Sequence, residues 1–288
     1  MNKPETSNEQ VNSIIDLALA EDTGFGDITS EIIIPSDLVG KASILAKEKG
    51  VLAGGDVARL VFLRVEPKIR VEVIIHEGRE IKPGDVVVTI TGSVASILRA
   101  ERVALNFLSH LSGVASETAK YVAWGQGYAA VITDTRKTSP GLRILEKYAV
   151  RIGGGQNHRL HLGDGILIKD NHITALRGLG MSLKGIITKA KQNAPQGVKI
   201  EIEVNTVTEA LEAAQAGADI IMLDNMSPDD MKRAIEMAPE QVKFEASGGI
   251  SLDNIRAVAK AGVHFISVGA ITHSAKALDF SLELEPPK

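Results

Sequence analysis

The chain has 288 residues, enough for one large domain or two ordinary ones, and its 44% hydrophobic and 24% charged content supports a sizeable buried core and excludes a disordered chain. A net charge of −4 argues against a general nucleic-acid binder, and 3% aromatics are too few for base-stacking platforms. The absence of Cys removes disulfide frameworks, zinc-thiolate sites and thiol nucleophiles.

The polar start, Met1 to Gln10, reads as a frayed end without a signal-peptide apolar core. No window reaches the roughly 18 uninterrupted apolar residues that span a bilayer, so a soluble, cytoplasmic, globular α/β protein is expected. Val11, Ile14, Ile15, Ala18 and Leu19 recur at helical spacing and predict a helix over Val11–Asp22, broken by Gly24 and Gly26. Residues 41–92 read mostly as strand: Lys41–Lys47 alternates, Ile69–His76 is rich in β-branched residues, and Lys82-Pro83-Gly84-Asp85 turns the chain into Val86–Ile90. Helical periodicity returns from Ser93 to about Trp124 and carries Arg102.

Beyond Gly125, strands and helices alternate. Apolar runs at Ala130–Thr133, Gly165–Ile168, Ile200–Val204, Ile220–Leu223, Val242–Ala246 and Phe265–Val268 are separated by helix-period segments. Ser227-Pro228-Asp229-Asp230 is an N-cap with Pro at the first helical position, and Ser251 to Asn254 opens another helix. Gly217 and Gly262 stop helices just before strands. The last four strands recur about every 20 residues, the mark of β-α units in a parallel sheet, either a barrel or an open doubly wound sheet. No G-x-G-x-x-G follows the first strand, which counts against a dinucleotide-binding domain.

Functional groups of β/α barrels stand at the carboxyl ends of the strands. Here all six ends are polar or Gly-rich. The first carries Asp134, Thr135, Arg136, Lys137 and Thr138, and the second Lys169, Asp170, Asn171 and His172. Glu201 and Glu203 share one face of the third, Asp224-Asn225 ends the fourth, and Ser247-Gly248-Gly249 and Gly269-Ala270 end the last two. Glycines let backbone N–H groups approach an anion, so Ser247, Gly248, Gly249, Gly269 and Ala270 form a candidate phosphate cup with the helix expected near Ser251; alternatively they only make tight turns. Residues 134–172 hold seven Lys and Arg against four acids, net +3 in a chain of net −4. Arg143, Lys147 and Arg151 recur every four residues and read as a solvated helix face. Arg136, Lys137, Arg159 and Lys169 stand at strand ends or beside Gly153-Gly154-Gly155 and suit a polyanionic substrate of carboxylates or phosphates. His158 and His172 lack metal-ligand spacing and read as hydrogen-bond donors to substrate. Glu203 and Asp224 are placed to hold Mg2+, bind sugar hydroxyls, or balance a developing cation; the plainer alternative is charge pairing with Lys169 or Arg136.

The strings Gly26-Asp27-Ile28-Thr29, Glu101-Arg102-Val103-Ala104-Leu105-Asn106, Asp134-Thr135-Arg136-Lys137-Thr138, Gly153-Gly154-Gly155-Gln156-Asn157-His158-Arg159, Leu167-Ile168-Lys169-Asp170-Asn171-His172, Leu223-Asp224-Asn225 and Ala246-Ser247-Gly248-Gly249-Ile250 occur in the order found in one family. The chain resembles quinolinate phosphoribosyltransferase over essentially its whole length. The resemblance implies an N-terminal α/β sandwich-like domain over 1–112, with 273–288 packing back on it, and an open, incomplete β/α barrel over 113–272. It implies transfer of phosphoribosyl from phosphoribosyl pyrophosphate to quinolinate, giving nicotinate mononucleotide, pyrophosphate and CO2, with Mg2+ required. It also implies a homodimer, or a higher oligomer built on it, in which Arg102 reaches the partner's pocket.

By the same resemblance, Arg136, His158, Arg159 and Lys169 surround the quinolinate carboxylates, with Thr135 and Lys137 beside the substrates. Glu203 and Asp224 lie near ribose and metal, and Ser247 to Gly249 with Val268, Gly269 and Ala270 form the 5′-phosphate loops. The sequence departs from the family at Gln156, often Lys, and at Leu160-His161, often an aromatic followed by Gly. Rival readings are a barrel lyase with Lys169 as a Schiff-base lysine, a transport-associated paralogue and a phosphate-sensing module.

Overall fold

The computed structural model describes residues 9–285; the start expected to be frayed lies outside them over residues 1–8. In chain order the elements are α1 (Glu9–Thr23), α2 (Ile28–Ile33), β1 (Val39–Ala46), β2 (Gly50–Val51), α3 (Gly55–Val65), β3 (Arg70–Val73), β4 (Glu80–Ile81), β5 (Val86–Ser93) and α4 (Val94–Trp124). They continue with β6 (Val131–Thr133), α5 (Arg143–Ile152), β7 (Ile166–Ile168), α6 (Asp170–Arg177), α7 (Leu183–Asn193), β8 (Ile200–Val204), α8 (Val207–Ala216) and β9 (Ile220–Asp224). Last come α9 (Pro228–Met237), β10 (Lys243–Ser247), α10 (Ile255–Lys260), β11 (Phe265–Ser267), α11 (Ala270–His273) and β12 (Phe280–Leu284).

One unit comprises the chain up to Ala119, Thr138–Gly154, and the segment from Ile271 on. Its four-stranded sheet has the order β12-β1-β5-β3, with every pairing antiparallel. Helix α1 buries Val11, Ile15 and Leu19, four residues apart on one stripe. Two features here differ from the sequence expectation. Residues 41–92 are not mostly strand, because α3 interrupts them. Beyond Gly55, its buried residues are Val57, Ala58, Val61 and Phe62, the i, i+1, i+4, i+5 pattern of a helix face that the surrounding β-branched residues mask. Lys147 is not on a solvated face: α5 is buried from Leu145 to Val150, and Lys147 is only 1% exposed. Arg143 donates to Thr138 Oγ1 at 3.0 Å, and only Arg151 of the three is exposed.

The second unit comprises Lys120–Lys137 and Gly155–Ala270. Its six strands form one parallel sheet of order β6-β11-β10-β9-β8-β7. The chain runs stepwise across the sheet from β7 to β11, and β6 closes onto β11. No pairing links β6 to β7, so the barrel is open; Gln156 alone adds a parallel bridge to Thr133 on that side. The six strands stand where the apolar runs predicted them. The Ser227 hydroxyl caps α9 by accepting the Asp230 N–H, and Gly217 ends α8 with φ +84°. The helix expected near Ser251 begins at Ile255 instead, because the Asn254 side chain folds back to accept the Ser251 N–H at 2.9 Å and to donate to Gly249 O at 2.8 Å.

Candidate active site

At the carboxyl ends of its strands the second unit holds a pocket of about 490 Å³. β6 delivers Thr135, Arg136 and Lys137, β7 delivers Lys169, and β8 delivers Glu203. β9 adds Asp224 and Asn225, and β10 adds Ser247, Gly248 and Gly249. His158 and Arg159 enter from the loop after the glycine run. This is the end of a β/α barrel where chemistry is expected.

The cationic wall is under-compensated. Arg136 Nε is buried and has no hydrogen-bond partner. Arg159 anchors Nη1 on Gly165 O at 3.2 Å, and its guanidinium pKa is lowered, first by burial and then by the like charge of Arg136. Two guanidiniums held near one another over a pocket favour an anion that bridges them. At the rim, Lys169 Nζ meets Glu203 Oε2 at 2.9 Å, with the Lys169 side chain still 46% exposed.

Below the rim, strand periodicity places a second layer. Glu201 stands two residues before Glu203 on β8, and Glu245 two residues before Ser247 on β10. His158 Nε2 lies 3.1 Å from Glu201 Oε2 and 3.5 Å from Glu245 Oε2. The loop that carries it is pinned by fully buried Asp134, which accepts the His158 N–H at 2.9 Å and the Asn157 amide at 2.6 Å. Burial alone would lower the His158 pKa; the hydrogen bonds and charges of Glu201 and Glu245 outweigh it and push the group up to about 10. Burial likewise raises Glu201.

The glycine side is a sharp backbone turn. Gly248 and Gly249 have φ +83° and +60°, and Asn225 on the neighbouring strand end is the one non-glycine described residue with positive φ, at 53°. Its side chain donates to Asp224 Oδ2 at 2.7 Å, and its N–H to Ser247 O at 2.9 Å. A Cβ on Gly248 would collide with the Asn225 side chain. The helix of the phosphate-cup expectation begins at Ile255, so the N–H donors there are those of the turn itself.

Of the predicted site residues, Lys137, Glu203, Asp224, Thr135, Arg136, His158, Arg159, Lys169, Ser247, Gly248 and Gly249 line this one pocket. Val268, Gly269 and Ala270 follow β11 but do not line it; Val268 is buried and gives its N–H to Thr133 O. Arg102 is exposed on α4, in the first unit. His172 is a helix cap, its Nδ1 accepting the Lys169 N–H at 2.9 Å. Leu160 and His161 both donate backbone N–H to Asp164, which closes that loop locally. Sequence reasoning missed Glu245 and Ser267, which also line the pocket; the period-two pattern inward from Ser247 on β10 was the available signal for the first.

The fold and pocket define an open β/α-barrel protein with a charged pocket at the carboxyl ends of its strands. Two family models match it, the quinolinate phosphoribosyl transferase N-terminal domain over residues 27–112 and C-terminal domain over 114–283. A Bacillus subtilis (strain 168) protein named probable nicotinate-nucleotide pyrophosphorylase (carboxylating) is 41% identical over 275 residues, covering 96% of this chain and 93% of the relative. A Nicotiana tabacum protein named quinolinate phosphoribosyltransferase (decarboxylating) 2a, mitochondrial, is 39% identical, covering 98% of this chain and 84% of the relative. The structure of the nicotinate-nucleotide pyrophosphorylase from Francisella tularensis matches with a TM-score of 0.89 at 38% identity, over 99% of this chain and 98% of that one. The chain belongs to the quinolinate phosphoribosyl transferase family. No helix among the described residues is long and apolar enough to cross a membrane.

Proposed function

We propose that the protein transfers phosphoribosyl from phosphoribosyl pyrophosphate to quinolinate, with decarboxylation, giving nicotinate mononucleotide, pyrophosphate and CO2 in de novo NAD biosynthesis. The observation that carries this reading is the Arg136–Arg159 pair, whose buried, unpartnered Nε and mutual repulsion call for a carboxylate between them.

Arg136, Arg159 and Lys169 grip the two carboxylates, with His158 beneath them and Thr135 and Lys137 between the two substrates. The N–H groups of Ser247, Gly248 and Gly249, with those of Gly269 and Ala270, take the 5′-phosphate, and Val268 holds its loop through the N–H given to Thr133 O. The ribose C1′–oxygen bond to pyrophosphate breaks as the pyridine nitrogen bonds to C1′. Positive charge develops at C1′, and Glu203 and Asp224 stand at adjacent strand ends to balance it. The ring nitrogen, now cationic, accepts the electrons of the breaking C–C bond as the neighbouring carboxylate leaves as CO2, and the ring carbon then takes a proton. No protein nucleophile is required. Glu203 and Asp224 are hard oxygen donors of the kind Mg2+ takes, and bound there the ion would offset the charge of the leaving pyrophosphate. The competing Schiff-base reading needs a desolvated amine, whereas Lys169 is half exposed and ion-paired with Glu203.

The protein acts in the cytoplasm as a homodimer in which Arg102, exposed on α4, completes the partner's pocket. Release of CO2 and pyrophosphate from quinolinate plus phosphoribosyl pyrophosphate tests the reaction, and no release from either would overturn it. Arg102→Ala and Lys137→Ala should each abolish most turnover without unfolding. Co-expressing the two should restore about a quarter of the sites, since a hybrid dimer keeps one intact pocket; no restoration would sink donation across the interface.

A further inference from the structure

At the floor of the pocket lies a charged cluster whose two acids, Glu201 and Glu245, the reaction itself does not use. Both ring nitrogens of His158 are engaged within the chain. Nδ1 accepts the Arg159 N–H at 2.8 Å, and Nε2 faces Glu201 and Glu245. Nε2 is the nitrogen that the two carboxyls share. Glu201 and Glu245 are 6% and 2% exposed, and each keeps one carboxyl oxygen, Oε1, buried without a hydrogen-bond partner. A purely structural network would satisfy those oxygens. They persist because the acids face cations: the Glu201 charge favours the Arg159 guanidinium, which burial and Arg136 disfavour.

We propose that Glu201 and Glu245 are positioning residues for recognition of the aromatic dicarboxylate, acting through His158 on Arg159. The chain of contacts is continuous. The two carboxyls orient the imidazole through Nε2, the imidazole holds the Arg159 N–H through Nδ1, and Gly165 O fixes the other end of that side chain. Asp134 clamps the backbone of the same loop. The two buried carboxyls converge on one imidazole nitrogen. The Glu201 carboxyl offsets the crowding of Arg159 by Arg136. It leaves their combined positive charge in excess, so an incoming dicarboxylate is still attracted. The acids and His158 have no counterpart on the glycine side, so the device serves one substrate and not the other.

This inference rests on the reaction proposed above, and the test separates the two. Wild-type turnover of quinolinate tests the reaction. Glu201→Gln and Glu245→Gln, in the full chain, test the cluster. Each should raise KM for quinolinate about tenfold or more, with KM for phosphoribosyl pyrophosphate within about twofold of wild type and kcat largely kept. Nitrogen-15 spectra of the histidine rings, read without substrate, should show the His158 Nε2 signal displaced from its wild-type position in both variants. Equal rises in both KM values would overturn the proposal by making the acids merely structural. So would a stoichiometric metal in the purified protein, since the three groups also lie within 4.8 Å of one another as metal ligands would.

Discussion

Strand β8 carries two glutamates two residues apart on one face, and they do different things. Glu203, at the rim, pairs with a lysine whose side chain is half exposed. Glu201, one layer down, pairs with a histidine that is itself enclosed by a second acid. Residue type and strand are the same; depth decides the role. At the rim a charge remains available to a ligand, because water and a mobile lysine compensate it only in part. At the floor the charges are committed to one another, and their influence reaches the pocket only through what they hold in place.

The sharpest way to break this contrast is to remove a rim-facing cation with an unmet donor. Arg136→Ala should lower kcat/KM for quinolinate by about 10²–10³-fold, the loss of a desolvated, charge-assisted contact, while the thermal midpoint stays within a few degrees of wild type. An unfolded variant would place Arg136 with the floor.

Stability should divide the two layers in the opposite direction. Glu201→Ala strands an imidazole and a second acid in a buried site and should cost about 3 kcal/mol or more. Lys169→Met removes a half-exposed partner and should cost under about 1 kcal/mol. Urea unfolding of both variants measures the difference, and equal losses would erase the distinction between rim and floor.

The rim was far more legible in the sequence than the floor. Strand ends are marked by where apolar runs stop, and polar residues such as Arg136, Lys169 and Asp224 stand immediately after them. The floor needs the strands to be brought side by side: His158 meets Glu245, 87 positions away, only because β10 and the loop after Gly155 face the same interior. Glu245 sits inside an apolar run, where a lone acid carries no local signal. In the first unit, α3 was hidden because a short helix with three valines and flanking strands resembles a strand in composition, although its Gly54-Gly55 break and four-residue spacing were present. Lys147 shows the opposite limit: a regular i, i+4, i+8 spacing fixes a face, but only tertiary packing says whether that face meets water.

A smaller effect should come from the glycine turn. Gly248→Ala places a Cβ at φ +83° and against Asn225, so the backbone there must shift. The conformation alone should cost about 1–2 kcal/mol, and KM for phosphoribosyl pyrophosphate should rise with that for quinolinate little changed. The reverse pattern of KM values would move the phosphate away from Ser247–Gly249.

The smallest effect per step is also the one that isolates the floor. The His158 pKa is raised from 6.5 to about 10 in the folded chain. Its protonation therefore stabilises the fold fully below about pH 6.5, and that contribution declines as pH rises towards 10. Glu201, raised by burial, works with the same sign at lower pH. Because at most about one proton separates folded and unfolded chains in the upper window, the slope should not exceed about 1.4 kcal/mol per pH unit. Urea unfolding at pH 7, 8 and 9 should show stability falling in the wild type and a flatter line in His158→Gln. The rim variant Lys169→Met should keep the wild-type slope, because it leaves the cluster untouched. A slope that survives in His158→Gln would assign the proton to another buried group and remove the electrostatic basis for treating the floor as a single unit.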